Sequence, residues 1–318
     1  MTIRRFFMSV VLGIGFCAPH GAWAAEMLLS NTVGNNVLRY STSNGAFLGA
    51  LVSSGSGGLN QPIGMARDEE DRLYVASFGT SQILRYGENG AFLDVFAGAG
   101  VNGPASPLGI AFNGGNLFVG SFSANTVRQF GSDGTPVGTF TPADALSDPI
   151  ALTFGTDGDL FVSSFLNSKV VRFDGTTGAL IGTFASGNGL SNPWGLVFGP
   201  DNNLYVSSFA TDQILRFDGA TGAFLDVFAG AAQLDGPRGL AFGPDGDLYV
   251  VSLFNNSVVR FDGTTGAFES VFVTSGSGGL NGPKQILFIP EPSSMVLFGM
   301  SFAAVFVIRR RMSQGRTR

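Results

Sequence analysis

Trp194, Arg238 and Lys284 each directly follow a proline, at intervals of 44 and 46 residues. An indole beside two cations suits a sugar ring bearing a carboxylate or sulfate, because the cations pair with the anion while the aromatic surface covers an apolar face. The same post-proline position elsewhere in the chain holds Ile63, Leu108 and Ile150. A ring built from these six positions has four apolar residues, two cations and no acid. Ser163, Ser164, Ser207 and Ser208 can add hydroxyls to the same rim, but no general base accompanies them.

Other chemistry is excluded by residue type. The only cysteine and the only histidine, Cys17 and His20, lie in an N-terminal segment that reads as a signal peptide over residues 1–24. Arg4 and Arg5 form its basic start, Phe6 to Ala18 its apolar run, and Ala22-Trp23-Ala24 a small-x-small cleavage site. The chain from Ala25 onward then has no thiol and no imidazole. Cys/His catalysis, Ser-His-Asp triads and nearly all zinc sites are thereby removed. No catalytic residue, cofactor or metal is expected. Between Ala25 and Pro290 there are 22 Asp/Glu against 11 Lys/Arg. That excess of acid argues against nucleic acid and against anionic lipid as partners.

The aspartates recur beside glycines, as in Asp157-Gly158-Asp159 and Asp245-Gly246-Asp247, which invites a calcium reading. A turn reading is stronger, since Asp-Gly supplies the positive φ of a tight hairpin. Asp174-Gly175, Asp218-Gly219 and Asp262-Gly263 are expected to do the same at a second turn. No segment has the dense oxygen spacing of a calcium loop.

The elements that carry these residues form a repeat. Arginine recurs at Arg39, Arg85, Arg128, Arg172, Arg216 and Arg260, spaced by 46, 43, 44, 44 and 44 residues. One unit reads Pro193 to Phe198, Leu204 to Phe209, Gln213 to Asp218 and Ala223 to Phe228, each a β-rich run bounded by Gly, Pro, Asn or Asp. Four short strands (A to D) per repeat describe a propeller blade. The region after Ala24 opens with Met27-Leu28-Leu29, already a B strand, and Pro283 to Ile289 is an A strand with no B after it. Joining them predicts an all-β fold, a six-bladed β-propeller of four-stranded blades with one-plus-three strand closure, which leaves no open ring edge. Phenylalanines ending strands A (Phe112, Phe154, Phe198, Phe242, Phe288), B (Phe78, Phe122, Phe165, Phe209) and C (Phe130, Phe173, Phe217, Phe261) are expected as wedges between blades. The strand-C arginines are expected to bridge blades.

From Glu26 to Ile289 these units resemble NHL-type repeats and the virginiamycin B lyase-like and gluconolactonase/regucalcin-like propellers. The latter resemblance implies carboxylates and amides around an axial divalent metal, and the former a histidine. The six-residue ring offers no acid, and the chain after residue 24 offers no histidine.

The tail is the most specific signal. Pro290-Glu291-Pro292 is followed by an apolar run over 295–308 and by Arg309, Arg310 and Arg311. The arginines stay cytoplasmic by the positive-inside rule, and the run is shorter than the ~20 residues of an ordinary span. This order of parts resembles the PEP-CTERM sorting signal of Gram-negative, exopolysaccharide-producing bacteria. The resemblance implies recognition by an exosortase, transient inner-membrane anchoring and release of the tail. The expected organisation is a signal peptide (1–24), a propeller (25–289) and a sorting signal (290–318). The expected function is a secreted, non-catalytic propeller that binds or organises extracellular matrix, with exopolysaccharide or envelope proteins as partners. The alternative is a metal-dependent lactonase, hydrolase or lyase of the propeller type. The tail is expected to leave from the face opposite Trp194.

Overall fold

The computed structural model describes residues 26–289 apart from 101 and 231, and the signal-peptide and sorting-tail expectations lie outside the described residues. Twenty-four strands form six antiparallel four-stranded sheets. The A strands, Pro62–Arg67, Pro107–Asn113, Pro149–Phe154, Pro193–Phe198, Pro237–Phe242 and Pro283–Ile289, pack against one another around the axis. Blades 2 to 6 are continuous in sequence. Blade 1 is the seam, where Pro283–Ile289 pairs with Glu26–Asn31, followed by Asn36–Ser41 and Phe47–Val52. The expected one-plus-three closure is what forms.

The blades are held apart and together by aromatic triads. In five of the six interfaces a ring on strand B sits between a Phe on or directly after strand D of its own blade and the Phe near the end of strand A of the next. Tyr74 lies between Phe96 and Phe112, Phe118 between Phe140 and Phe154, and Phe161 between Phe184 and Phe198. Tyr205 and Tyr249 repeat the arrangement with Phe228/Phe242 and Phe272/Phe288. All these pairs are edge-on at 4.7–5.2 Å, the geometry that the ring quadrupole favours. At the interface of blades 1 and 2 the equivalent residues are Leu51, Leu28 and Arg67, so the wedge there is aliphatic.

Three sequence expectations need correction. Phe78, Phe122, Phe165 and Phe209 are not wedges; the first three are half-buried around Ile63, Leu108 and Ile150 at one end of the axis, and Phe209 packs beside Phe165 and Trp194. Four of the six strand-C arginines pair within their own blades: Arg85 with Asp94, Arg172 with Asp157 and Asp159, Arg216 with Asp226, and Arg260 with Asp245, Asp247 and Glu269. They also cover the triads, Arg172 lying 5.5 Å from the Phe161 ring and Arg216 5.2 Å from Phe228. Finally, the two Asp-Gly turns differ. Gly158 and Gly246 do take positive φ (85° and 87°) in the A–B turn. In the C–D turn the positive φ falls on the later Gly178, Gly222 and Gly266. Gly175 and Gly263 are required for another reason, because a Cβ there would meet the carbonyl oxygens of Gly158 and Gly246 at under 2 Å.

A feature not read from the sequence joins all six blades. Each B–C turn holds a residue in the left-handed region (Asn35, Ser81, Asn125, Ser168, Asp212, Asn256), and its side chain accepts a backbone N–H from the following blade. The donors are Gln61, Ser106, Asp148, Asn192, Gly236 and Gly282, at 2.6–3.3 Å. Every donor residue itself has positive φ and precedes the strand-A proline. A residue before proline is kept out of the α region by sterics. Proline and latch together therefore define where the next residue, the axial one, is placed.

Candidate functional site

The axial residues are Ile63, Leu108, Ile150, Trp194, Arg238 and Lys284, the residues that follow the six latched prolines. The structure brings the three sequence-predicted residues together. The Arg238 guanidinium carbon lies 3.4 Å from the centroid of the Trp194 ring and 4.8 Å from that of Phe209. The Lys284 ammonium lies 5.8 Å from the same indole. One face of Trp194 is thus covered by Arg238, so the indole serves as a bed for a cation there and not as a platform for a sugar ring. A desolvated contact of this kind is worth ~2 kcal/mol.

Arg238 is 9% exposed, and its Nε and Nη1 have no hydrogen-bond partner among the described residues. Burial pushes its guanidinium down to about 9. Burial, and then the charge of Arg238, lower Lys284 to about 8. Two cations lie within reach of one indole, with no carboxylate among the six axial residues, on a chain that is acidic as a whole.

The serines have a different role from the one expected of them. Ser163, Ser164, Ser207 and Ser208 are fully buried. The Ser163 hydroxyl donates to the Trp194 carbonyl at 2.8 Å, and that of Ser207 to the Arg238 carbonyl at 2.7 Å. They fix the backbone of the site residues one blade further on. Ser164 and Ser208 accept N–H groups from the D–A loops at Ser147 and Ser191.

Behind the mouth lies a cavity of about 60 Å³, lined among others by Ile63, Leu108, Ile150, Trp194, Lys284 and Gln285. Gln285 is a site residue that sequence reasoning passed over. Its Oε1 accepts the Met65 N–H at 2.5 Å, which leaves its NH₂ as a donor. The signal was present in the motif, since Pro-x-Gly or Pro-x-Ala in five blades becomes Pro283-Lys284-Gln285 in the closing strand.

On the opposite face, Asp247, Asp262 and Glu269 lie close enough together to hold a cation. Arg260 contacts Asp247 and Glu269 there, so its charge already offsets theirs. The closing strand ends on that face too, with Ile289 paired to Glu26 and Glu26 paired to Ser41 at the start of a C–D turn. The last described residue therefore stands at the end away from Trp194.

The depressed Lys284 predicts a pH signature. The unfolded chain holds this proton up to about 10.5, whereas the folded chain releases it from about 8. Between these values the unfolded state binds more protons, so stability rises with pH across the window and the penalty is full below it. Lys284→Met is expected to melt above wild type at pH 7, with the gap closing toward pH 10. Thermal melts of both proteins across pH 7–10 check this, and a constant gap would contradict the assignment.

Fold and mouth together define a six-bladed propeller with two cations at its axial opening. Residues 288–311 match the family described as PEP-CTERM protein-sorting motif. The motif implies export, a membrane-anchored C-terminal sorting signal in a Gram-negative bacterium, and processing by an exosortase. It begins inside the closing strand, at Phe288. No helix among the described residues is long and apolar enough to cross a membrane. No curated relative matches the sequence. Among solved structures, a chain of a nidogen/laminin complex aligns with TM-score 0.68 at 19% identity, over 82% of this chain and 97% of that one. A catalytically inactive virginiamycin B lyase from Staphylococcus aureus with quinupristin aligns with TM-score 0.62 at 15% identity, over 84% and 92%. A protein of unknown function from Bacteroides caccae gives 0.67 at 12%, over 84% and 100%. These likenesses establish the shared propeller fold.

Proposed function

We propose that the protein is a secreted, non-catalytic propeller that binds or organises extracellular matrix at the cell envelope, with acidic exopolysaccharide as its ligand at the channel mouth. The observation that carries this reading is the pair Arg238 and Lys284, two cations on one indole with no carboxylate partner among the described residues. A buried cation without a counter-ion costs stability unless something supplies the charge. The absence of histidine and cysteine after residue 24 supports binding over turnover. Retention of purified protein on the strain's own exopolysaccharide is the test. The double variant Arg238→Ala, Lys284→Ala should bind roughly a hundredfold or more weakly, since two charged contacts at ~1.5–3 kcal/mol each sum to at least ~3 kcal/mol. Equal retention would remove the mouth as the binding site.

A second reading, a metal-dependent lactonase, hydrolase or lyase, is favoured by the fold shared with virginiamycin B lyase. Lactonase and lyase assays with and without chelator discriminate. Turnover that chelator abolishes supports the enzyme, and its absence supports the binder.

A further inference from the structure

We infer that the axial cavity is a pocket for a single carboxylate at the end of an acidic glycan chain, which enters end-on. The inference rests on the mouth being the binding face and goes further in naming the group and its direction of approach. The polar side chains lining the cavity, Lys284 and Gln285, present donors, because the one acceptor, Gln285 Oε1, is already bonded to the Met65 N–H. A donor set of one ammonium and one amide matches the two acceptor oxygens of a carboxylate. Arg238, unpartnered among the described residues at Nε and Nη1 behind the indole, adds its field to the same place. The other side chains of the wall, among them Ile63, Leu108, Ile150 and Trp194, are apolar.

Size and position set the direction. A cavity of about 60 Å³ admits a carboxylate and a few waters, not a sugar ring with both glycosidic neighbours. It sits on the axis, encircled by six latched strands and the half-buried Phe78, Phe122 and Phe165. A chain lying across this collar holds its mid-chain carboxylates above the cavity, whereas a chain end can point one down into it. Both pocket donors belong to the closing strand, so an occupied pocket also ties that strand to blades 5 and 6 through Trp194 and Arg238.

The test uses the full chain with Trp23→Phe, which leaves Trp194 as the only tryptophan and its fluorescence as the readout. Probes are glucuronate, its methyl ester, and a hexameric oligouronide. Glucuronate and the hexamer are expected to bind with Kd values within about threefold per chain, and the ester roughly tenfold or more weakly, because it lacks the charge that strengthens the hydrogen bonds. Lys284→Met and Gln285→Leu should each weaken glucuronate by roughly tenfold, with Lys284→Met melting no lower than wild type. Equal binding of ester and acid overturns the carboxylate pocket. A hexamer affinity that grows with the number of units overturns end-on entry. If the exopolysaccharide binds wild type and Lys284→Met alike, the pocket fails while matrix binding stands. If no acidic glycan binds wild type, both readings fail.

Discussion

Deleting Pro283 through Ile289 is expected to abolish the cooperative thermal transition of the propeller, although these are seven residues at one end of the fold. The strand is half of the seam. It pairs with Glu26–Asn31 and buries Ile286 and Ile289, to 4% and 6% exposure, while Phe288 packs edge-on to Tyr249 at 5.2 Å. Ile286 and Ile289 are each worth ~1.5–3 kcal/mol on burial, and the half-buried Leu287 and Phe288 add a part of that each. Together these are of the order of the ~5–15 kcal/mol net stability of a domain. Loss of the strand also bares the ladder of Glu26–Asn31 and one flank of blade 6, a template for aggregation. Truncation after Ile289 removes none of these contacts and should leave the melting temperature unchanged. Circular dichroism melts of the two truncations decide the matter; a wild-type transition in the shorter one would show that the ring does not depend on its closure.

The same strand links folding to sorting. The motif match starts at Phe288, so its first two residues are part of blade 1. A cut beyond Ile289 leaves the ring closed. A cut inside the strand removes the edge-on contact with Tyr249 and the pairing with Glu26.

Much of this was legible because repetition multiplies weak signals. A single Pro-x-Gly or Leu-Tyr-Val run says little, whereas six in register fix blade number, strand order and seam. The axial position was legible for the same reason, since the residue after each proline samples the axis once per blade. What the repeat cannot show is direction and pairing. Arg85 pairs with Asp94 on the next strand of its own blade, and Arg172 reaches back to Asp157 and Asp159, a choice set by side-chain reach across the sheet and not by spacing. Phe165 and Phe209 share a repeat position that looks like core, yet strand B has ended there and the ring turns to the mouth. The latches at Asn35, Ser81, Asn125, Ser168, Asp212 and Asn256 vary in residue type, so no motif advertised them. What these positions share is a side-chain oxygen on a left-handed backbone, which only the structure displays. Gln285 was visible as a departure from the motif, but its donor role depends on where Met65 sends its N–H.

Phe161→Ala should be the most costly single substitution among the blade wedges, at about 3–5 kcal/mol, the range for truncating a buried Phe. The ring is 0% exposed, edge-on to Phe184 at 4.7 Å in its own blade and to Phe198 at 5.1 Å in the next, with the Arg172 guanidinium 5.5 Å away. Removing it loses two edge-on pairs as well as buried area, and it leaves a cavity between two sheets that closure around the axis prevents from collapsing. Tyr74, Tyr205 and Tyr249 hold the same place but also donate a hydroxyl to Asp68, Asp201 and Asp245, so their variants mix packing with a lost polar contact. Phe161 isolates the packing term. Leu28→Ala, at the equivalent position of the aliphatic interface, should cost less, about 2–4 kcal/mol, because no aromatic pair is broken there. Denaturant unfolding of the two variants at equal m-value measures the difference. A Phe161→Ala loss no greater than that of Leu28→Ala would mean that the triads fill space without adding orientation-dependent attraction.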